Sequence, residues 1–171
     1  MSMTPDELAC FKDLLSKSPP GPRIEVGVFR GDTLKLMLDE NHQVFGVDSW
    51  DGMAVPTEMD MKDGWNPYPR GRLRCSMPFI PSARLFQGFV PHVFTQVPEV
   101  DFAFAHVDVD HFGPTKWTLH YLHKRMVKGG IVVCDDWFSD RDWLAAGAIN
   151  EFAKSIKPLA GSCGRKAWFQ Y

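Results

Sequence analysis

Apolar and polar positions fall into short blocks whose period changes along the chain. Over "MTPDELACFKDLLSK" (3–17) the apolar residues recur near helical spacing, with Thr4 placed to cap the N-terminus and Pro5 at the first helical position. "SPPGP" ends that helix. "RIEVGV" (23–28) then predicts a short strand, and Gly31 leads into the helical pattern "DTLKLMLDE", where Asp32 can cap. "QVFGVD" (43–48) predicts a second strand. The first fifty residues thus spell strand, helix, strand, the repeating unit of parallel α/β proteins.

Between residues 49 and 82 neither period is clean. "SWDGMAVPTEMDMKDGWNPYPRGRLRCSMPFIPS" is rich in Pro, Gly, Met and aromatic residues. So long an irregular segment inside a compact domain points to a lid or substrate segment. Order returns with "ARLFQG" (83–88) as a strand and a short helix near 89–97. "DFAFAHVDVD" (101–110) follows as an almost uninterrupted apolar strand, covered on both faces. "PTKWTLHYLHKRMV" (114–127) predicts a helix opened by Pro114 and closed by "KGG". "GIVVCDD" predicts another buried strand, "RDWLAAGAINEFAKSI" another helix, and "PLAGSCGRKAWFQY" a terminal hairpin.

The expected fold is therefore one α/β domain over 1–171, a doubly wound, mostly parallel sheet of seven strands with helices on both faces and a C-terminal hairpin. Ligands of such sheets bind at the carboxyl ends of the strands, beside the switch point. The 19 basic and 21 acidic residues are interspersed, for a net charge of −2, which argues against nucleic acid or an anionic membrane as partner. A small molecule is the expected partner, and a homo-oligomer is compatible with the sequence. The N-terminus does not read as a signal peptide, and no run approaches the ~18 apolar residues of a membrane span. Cys10, Cys75, Cys134 and Cys163 are widely separated, with no CxxC pair. They read as reduced thiols in a cytoplasmic protein.

After the first strand, "EVGVFRGDT" supplies Glu25, Gly27 and Gly31, a reduced glycine pattern that lets the backbone turn tightly beside a ligand. The second strand ends in Asp48, where a carboxylate can accept both hydrogen bonds of a ribose diol. Together they predict adenosine binding. Glu25 aims a carboxylate at the glycine loop, which disfavours the pyrophosphate of NAD. S-adenosylmethionine, a sulfonium with an ammonium group and no phosphate, suits an acidic loop better.

The second chemical signal is acidic. Asp108 and Asp110 share one face if their strand persists, and Asp135 and Asp136 end a strand expected beside it, ~4.8 Å away. Carboxylates crowded in this way bind protons unless a cation neutralises them, and oxygen-only ligands favour a hard divalent ion, Mg²⁺ first. The competing reading has these aspartates capping the helices that follow.

The blocks "IEVGVFRGDT", "VFGVDSWDGM", "RLFQGFVPHVF" and "FAHVDVDHFGPTKWTLHYLHKRMVKGGIVVCDDW" resemble the class I S-adenosylmethionine-dependent methyltransferases, and most of all the macrocin O-methyltransferase family, which acts on sugar hydroxyls of antibiotics. The likeness runs over about residues 23 to 137. It implies that Glu25, Gly27 and Gly31 face the methionine part of the cofactor, that Asp48 binds the ribose with Ser49 and Trp50 beside it, and that Gln87 and Gly88 border the adenine. It also implies Asp108, Asp135 and Asp136 as metal ligands and Asp110 as general base, with Asp108 bordering the cofactor as well. The resulting expectation is a metal-dependent O-methyltransferase acting on a small hydroxylated acceptor such as a sugar or natural product. A phenol or amine acceptor, and a cofactor-binding or oligomerisation module without turnover, are the alternatives.

His111 stands where the family more often has an apolar or aromatic residue, and is a candidate base or substrate contact beside the plainer reading of a loop histidine. His106 reads as a core residue, and His120 with His123 lacks a third ligand for zinc. Arg70, Arg72 and Arg74 either hold an anionic substrate or form a solvated edge. Trp50, Trp65, Tyr68 and Phe79 either wall the active site against water or cover the core or a subunit contact.

Overall fold

The computed structural model describes residues 3–171. Its elements follow the order α1 (Pro5–Lys17), β1 (Arg23–Val26), α2 (Asp32–Leu36), β2 (Val44–Asp48), β3 (Ala83–Gln87), β4 (Phe102–Val107), α3 (Phe112–His123), β5 (Met126–Cys134), α4 (Leu144–Ser155), β6 (Gly161–Cys163) and β7 (Lys166–Gln170). Short 3₁₀ turns lie at Glu58–Asp60 and His92–Thr95. The strands form one seven-stranded sheet in the order β3-β2-β1-β4-β5-β7-β6, parallel except that β7 runs against both β5 and β6. The expected fold class is the observed one. Among the described residues no helix is long and apolar enough to cross a membrane.

Strand order reverses between β1 and β4, the switch point at which open α/β sheets form their ligand crevice. Both strands are buried at every position, as central parallel strands must be. Side chains leave β1, and β4 beyond the irregularity after Phe102, with period two. Ile24, Val26, Phe102, Ala105 and Val107 join Leu119 and Leu122 of α3 and Ile149 and Phe152 of α4 in one core. Phe104, Ile131 and Val133 face the other way, against Phe11 and Leu14 of α1, Leu34 of α2 and Met37 just after it. At α1 the expected cap is present: Thr4 accepts from the Glu7 amide, and the Glu7 carboxylate accepts from the Thr4 amide.

Several boundaries differ from the sequence expectation, β1 and α2 ending early at Val26 and Leu36 and α4 starting late at Leu144. β4 stops at Val107 instead of Asp110, because Asp110 takes a left-handed conformation (φ 58°) and turns the chain off the sheet. α3 begins two residues before Pro114, which fits within the first turn because the amide that proline lacks has no partner there in any helix. "VKGG" lies inside β5 rather than closing α3. The strand bulges there, with pairing shifting from Phe102↔Met126 to Phe104↔Ile131, and Gly129 (φ 81°) absorbs the distortion. Asp32 is the first residue of α2 and not its cap, Gly31 occupying that position.

Candidate active site

The carboxyl ends of β1, β2, β4 and β5 meet at one rim. Each is followed within three residues by a non-glycine residue in the left-handed region: Phe29 (φ 50°), Trp50 (φ 49°), Asp110 (φ 58°) and Asp136 (φ 56°). Each such conformation costs on the order of 1–3 kcal/mol and persists only where its surroundings hold it. Asp48 holds two of them, its Oδ2 accepting from the Phe29 amide at 2.8 Å and its Oδ1 from the Trp50 amide at 2.7 Å. The Trp50 indole closes the set by donating to the Phe29 carbonyl at 2.9 Å. Asp136 is held by its amide, which donates to Asp135 Oδ1 at 2.9 Å, and Asp110 by its carbonyl, which accepts from the Ala145 amide at 2.8 Å.

Gly27 makes the close approach of two loops possible. At φ 96° a Cβ on it would lie 1.8 Å from the Asp108 carbonyl oxygen, so the β1 loop rests directly on the β4 loop and only glycine is tolerated between them.

Asp108, Asp110 and Asp136 bring one carboxylate oxygen each to within 4.8 Å of one another. Such crowding favours protonation. Burial first, then Asp135 and Asp136, push Asp108 up to about 7. Burial, then Asp108 and Asp136, raise Asp110 well above the usual carboxylate range. Asp135, grouped with them on sequence grounds, lies outside this cluster: its Oδ2 is 2.8 Å from the buried Lys166 ammonium of β7. Burial works upward on Asp135, but the Lys166 ammonium brings it below the ordinary value. Asp136 has a cation of its own, Arg165 Nη1 at 2.8 Å from Oδ1. Glu7 of α1 anchors that arginine, its Oε1 accepting from the Arg165 amide at 2.9 Å. The end of the β6–β7 turn and the first residue of β7 therefore supply two consecutive cations to two consecutive aspartates.

The segment 49–82 covers this end of the sheet and is tied down at several points. Asp60, buried in the segment, accepts from the Phe112 amide at the start of α3 at 2.6 Å. Tyr68 places its hydroxyl 3.4 Å from Asp136 Oδ2, and its carbonyl accepts from His111 Nε2 at 3.0 Å. Because a carbonyl can only accept, that contact places the histidine proton on Nε2 and leaves Nδ1, buried and without a partner, as an acceptor.

A cavity of about 430 Å³ lies between this segment and the strand ends. Of the residues expected around the cofactor, Gly27, Asp48, Ser49, Gly88 and Asp108 line it, and so do Asp110, His111, Asp135 and Asp136. Glu25, Gly31, Trp50 and Gln87 lie outside the lining. Glu25 is in register with His106 on β4 and buried on the α1 side, its Oε1 2.9 Å from His106 Nδ1. Burial, then Asp108 and Asp48, raise the Glu25 pKa well above normal, while burial and Lys166 lower His106 to about 3, so the pair is neutral. Gly31 packs toward Ile80, Trp50 is core, and Gln87 donates to the Ser49 carbonyl at 3.1 Å.

Of the four aromatic residues in the segment only Tyr68 reaches the cavity. Trp65 sits against Trp143, and Phe79 is 91% exposed. Arg165 and Lys166 were not among the sequence candidates. Two adjacent cations directly before a terminal strand, in a chain with an unpaired "DD", were the available signal.

These features fit a hard cation and a cationic cofactor. The donor set is all oxygen, with three carboxylates at one point, and the cavity wall is acidic.

Residues 24–137 match the model of a family described as "Methyltransferase domain". No curated protein sequence matches the chain. Among solved structures, the calicheamicin methyltransferase CalS11 is 20% identical with a TM-score of 0.75, the match covering 98% of this chain and 80% of that one. The O-methyltransferase NovP is 16% identical with a TM-score of 0.69, covering 96% and 79%. An O-methyltransferase from Bacillus cereus, solved in complex with SAH, is 13% identical with a TM-score of 0.59, covering 99% and 83%. At such identities the likeness is one of fold. The family match spans most of the chain, from β1 to just past the paired aspartates after β5, and on it the chain belongs to the methyltransferase-domain family and is an S-adenosylmethionine-dependent methyltransferase.

Proposed function

We propose that the chain transfers the methyl group of S-adenosylmethionine to a hydroxyl of a small acceptor, such as a sugar or a natural product, with a hard divalent cation, Mg²⁺ first, held at the acidic cluster. The macrocin-type resemblance of the acidic blocks and the O-methyltransferases of like fold support this reading. The single observation that carries it is the meeting of Asp108, Asp110 and Asp136 in the cavity that Gly27 and Asp48 also line.

S-adenosylmethionine, when bound, supplies an electrophilic methyl group, and a divalent cation lowers the pKa of an alcohol and orients it. Asp48 has each carboxylate oxygen engaged by one backbone amide, which fixes its plane and leaves further lone pairs for a ribose diol. Gly27 lets the β1 loop close directly on the Asp108 backbone, forming the wall that would meet the methionine part, and Gly88 would border the adenine. Asp108 and Asp136, with Asp110, would hold the cation, while Asp135 keeps Lys166 close beneath the cluster. Bound in the cavity, S-adenosylmethionine would supply a methyl carbon to an oxygen lone pair of the acceptor, the electrons of the carbon–sulfur bond staying with sulfur. The hydroxyl proton would pass to the Asp110 carboxylate, which lines the same cavity. His111 lines it as well.

Calorimetry of the full chain with S-adenosylhomocysteine, with and without MgCl₂, combined with methyl transfer to a panel of sugars and phenols, tests this. Asp110→Asn should keep cofactor affinity and lose roughly 10²–10⁴-fold in turnover. Failure of S-adenosylhomocysteine to bind would overturn the reading.

A further inference from the structure

We propose that the acceptor carries an oxyanion, a phosphate or a carboxylate, which Arg72 and Arg70 hold at the cavity rim while the acceptor's hydroxyl lies at the acidic end. This rests on the methyl-transfer reading and adds the class of acceptor.

The cavity is electrically two-ended. Its floor carries Asp108, Asp110 and Asp136. The nearby cations are mostly engaged: Lys166 with Asp135, Arg165 with Asp136, and Arg74 with Asp51 at 2.6 Å. Among the described residues no carboxylate oxygen lies within 4.0 Å of Arg70 or Arg72. Arg72 nonetheless lines the cavity.

The Arg72 backbone is fixed. Its amide donates to the Pro69 carbonyl at 3.0 Å, its carbonyl accepts from the Met53 amide at 2.8 Å, and the Gly71 amide donates to the Met53 carbonyl at 2.9 Å. Gly52 (φ 84°) permits this clamp, since a Cβ there would meet the Gly71 carbonyl oxygen at 2.6 Å. A rigid backbone thus presents a free guanidinium at the mouth of the site. Tyr68 joins the two ends, its hydroxyl toward Asp136 and its ring 6.0 Å from the Arg72 guanidinium carbon.

A groove of about 470 Å³ continues from the cavity over Met53, Ala54 and Phe89, and Arg70 lines it beside the Arg74–Asp51 pair. A planar guanidinium with no internal partner matches the paired oxygens of a phosphate or carboxylate, and two of them along one path recognise a charged end group. The acidic floor would repel that group, so the charge pattern also sets the direction in which the acceptor enters.

The test is calorimetric titration of the full chain with inorganic pyrophosphate and with malonate, each in the presence and absence of S-adenosylhomocysteine and without divalent cation. Pyrophosphate or malonate should bind with a Kd below about 1 mM. Arg72→Gln and Arg70→Gln should each weaken that binding about tenfold or more, while Lys12→Gln on α1, away from both cavities, leaves it unchanged. Preference for pyrophosphate identifies a phosphorylated acceptor, and preference for malonate a carboxylated one. Binding of neither anion, or binding indifferent to Arg72→Gln, overturns the proposal. Loss of S-adenosylhomocysteine affinity in Arg72→Gln also overturns it, because the anion served would then be the cofactor's own carboxylate. Failure of the chain to bind S-adenosylhomocysteine at all strikes the methyl-transfer reading, while the titrations without it still report on the rim.

Discussion

Lys166 Nζ stands 2.8 Å from Asp135 Oδ2, joining the first residue of β7 to the residue that follows β5, with both side chains out of solvent. Removing one member strands the other's charge in a low-dielectric interior. Lys166→Met should therefore lower the unfolding free energy by about 3–5 kcal/mol, and Lys166→Met combined with Asp135→Leu should recover most of it. Urea denaturation of the two variants decides: an unchanged midpoint for Lys166→Met would show that the pair holds nothing together.

Gly27→Ala should be far more damaging than an alanine at another left-handed glycine. At Gly27 the new Cβ would meet the Asp108 carbonyl oxygen at 1.8 Å, whereas at Gly64 (φ 77°) nothing lies within 4 Å. Gly64→Ala then reports backbone strain alone, about 1–2 kcal/mol. Gly27→Ala adds the clash and should abolish binding of S-adenosylhomocysteine. Equal melting temperatures for the two variants would contradict the close loop approach.

Stability of the cation-free protein should fall as pH rises from 5 to 8. Asp108 moves from an ordinary value of 3.8 to about 7 on folding, so between those values the folded chain keeps a proton that the unfolded chain has lost, and the stability this contributes is gone once pH passes about 7. Asp110 and Glu25, both raised, act in the same direction. His106 moves from 6.5 to about 3, so below pH 6.5 the unfolded chain takes a proton that the folded one refuses, which offsets one of these three carboxyl groups and not the others. Calorimetric melting from pH 5 to 8 measures the slope. Asp108→Asn should make it shallower, and a melting temperature that climbs from pH 6.5 to 8 would refute the assignment.

Asp60 anchors the irregular segment to the body. Its Oδ1 accepts from the Phe112 amide at 2.6 Å, and its Oδ2 from the amide and hydroxyl of Thr57 at 2.8 Å each. Asp60→Ala should cost roughly 1–2 kcal/mol, the usual size of a lost helix cap. Trypsin should also cut sooner at Lys62, Arg70, Arg72 and Arg74. An unaltered digestion pattern would mean that the segment is held by other contacts.

Much of this arrangement was legible without coordinates. The alternation of apolar runs with helical patterns announced the parallel sheet, and the acidic residues after the second, fourth and fifth strands marked the end where a ligand binds. Asp48 was readable because a short strand directly precedes it. Glu25 misled for the same local reason. Two residues before Gly27 it looks like part of the loop, yet the strand is still running there and its pleat turns the side chain toward His106 and away from the cavity. Tyr68 could not be distinguished from Trp65 or Phe79, since an irregular segment has no period to say which aromatic residue turns inward.

By itself, the sequence determined the kinds and order of the elements and the strand ends that carry acid, because periodicity and composition are properties of neighbouring residues. Only the tertiary structure decided which carboxylates meet. Asp135 and Asp136 are adjacent in the chain, but one turns to Lys166 and the other joins Asp108 and Asp110 beside Arg165. That choice depends on a left-handed turn at Asp136 and on two cations delivered by a hairpin some thirty residues later. Charges that come together through folding interact across distances the chain order does not encode, and those distances set which aspartates are neutralised and which are left for a ligand.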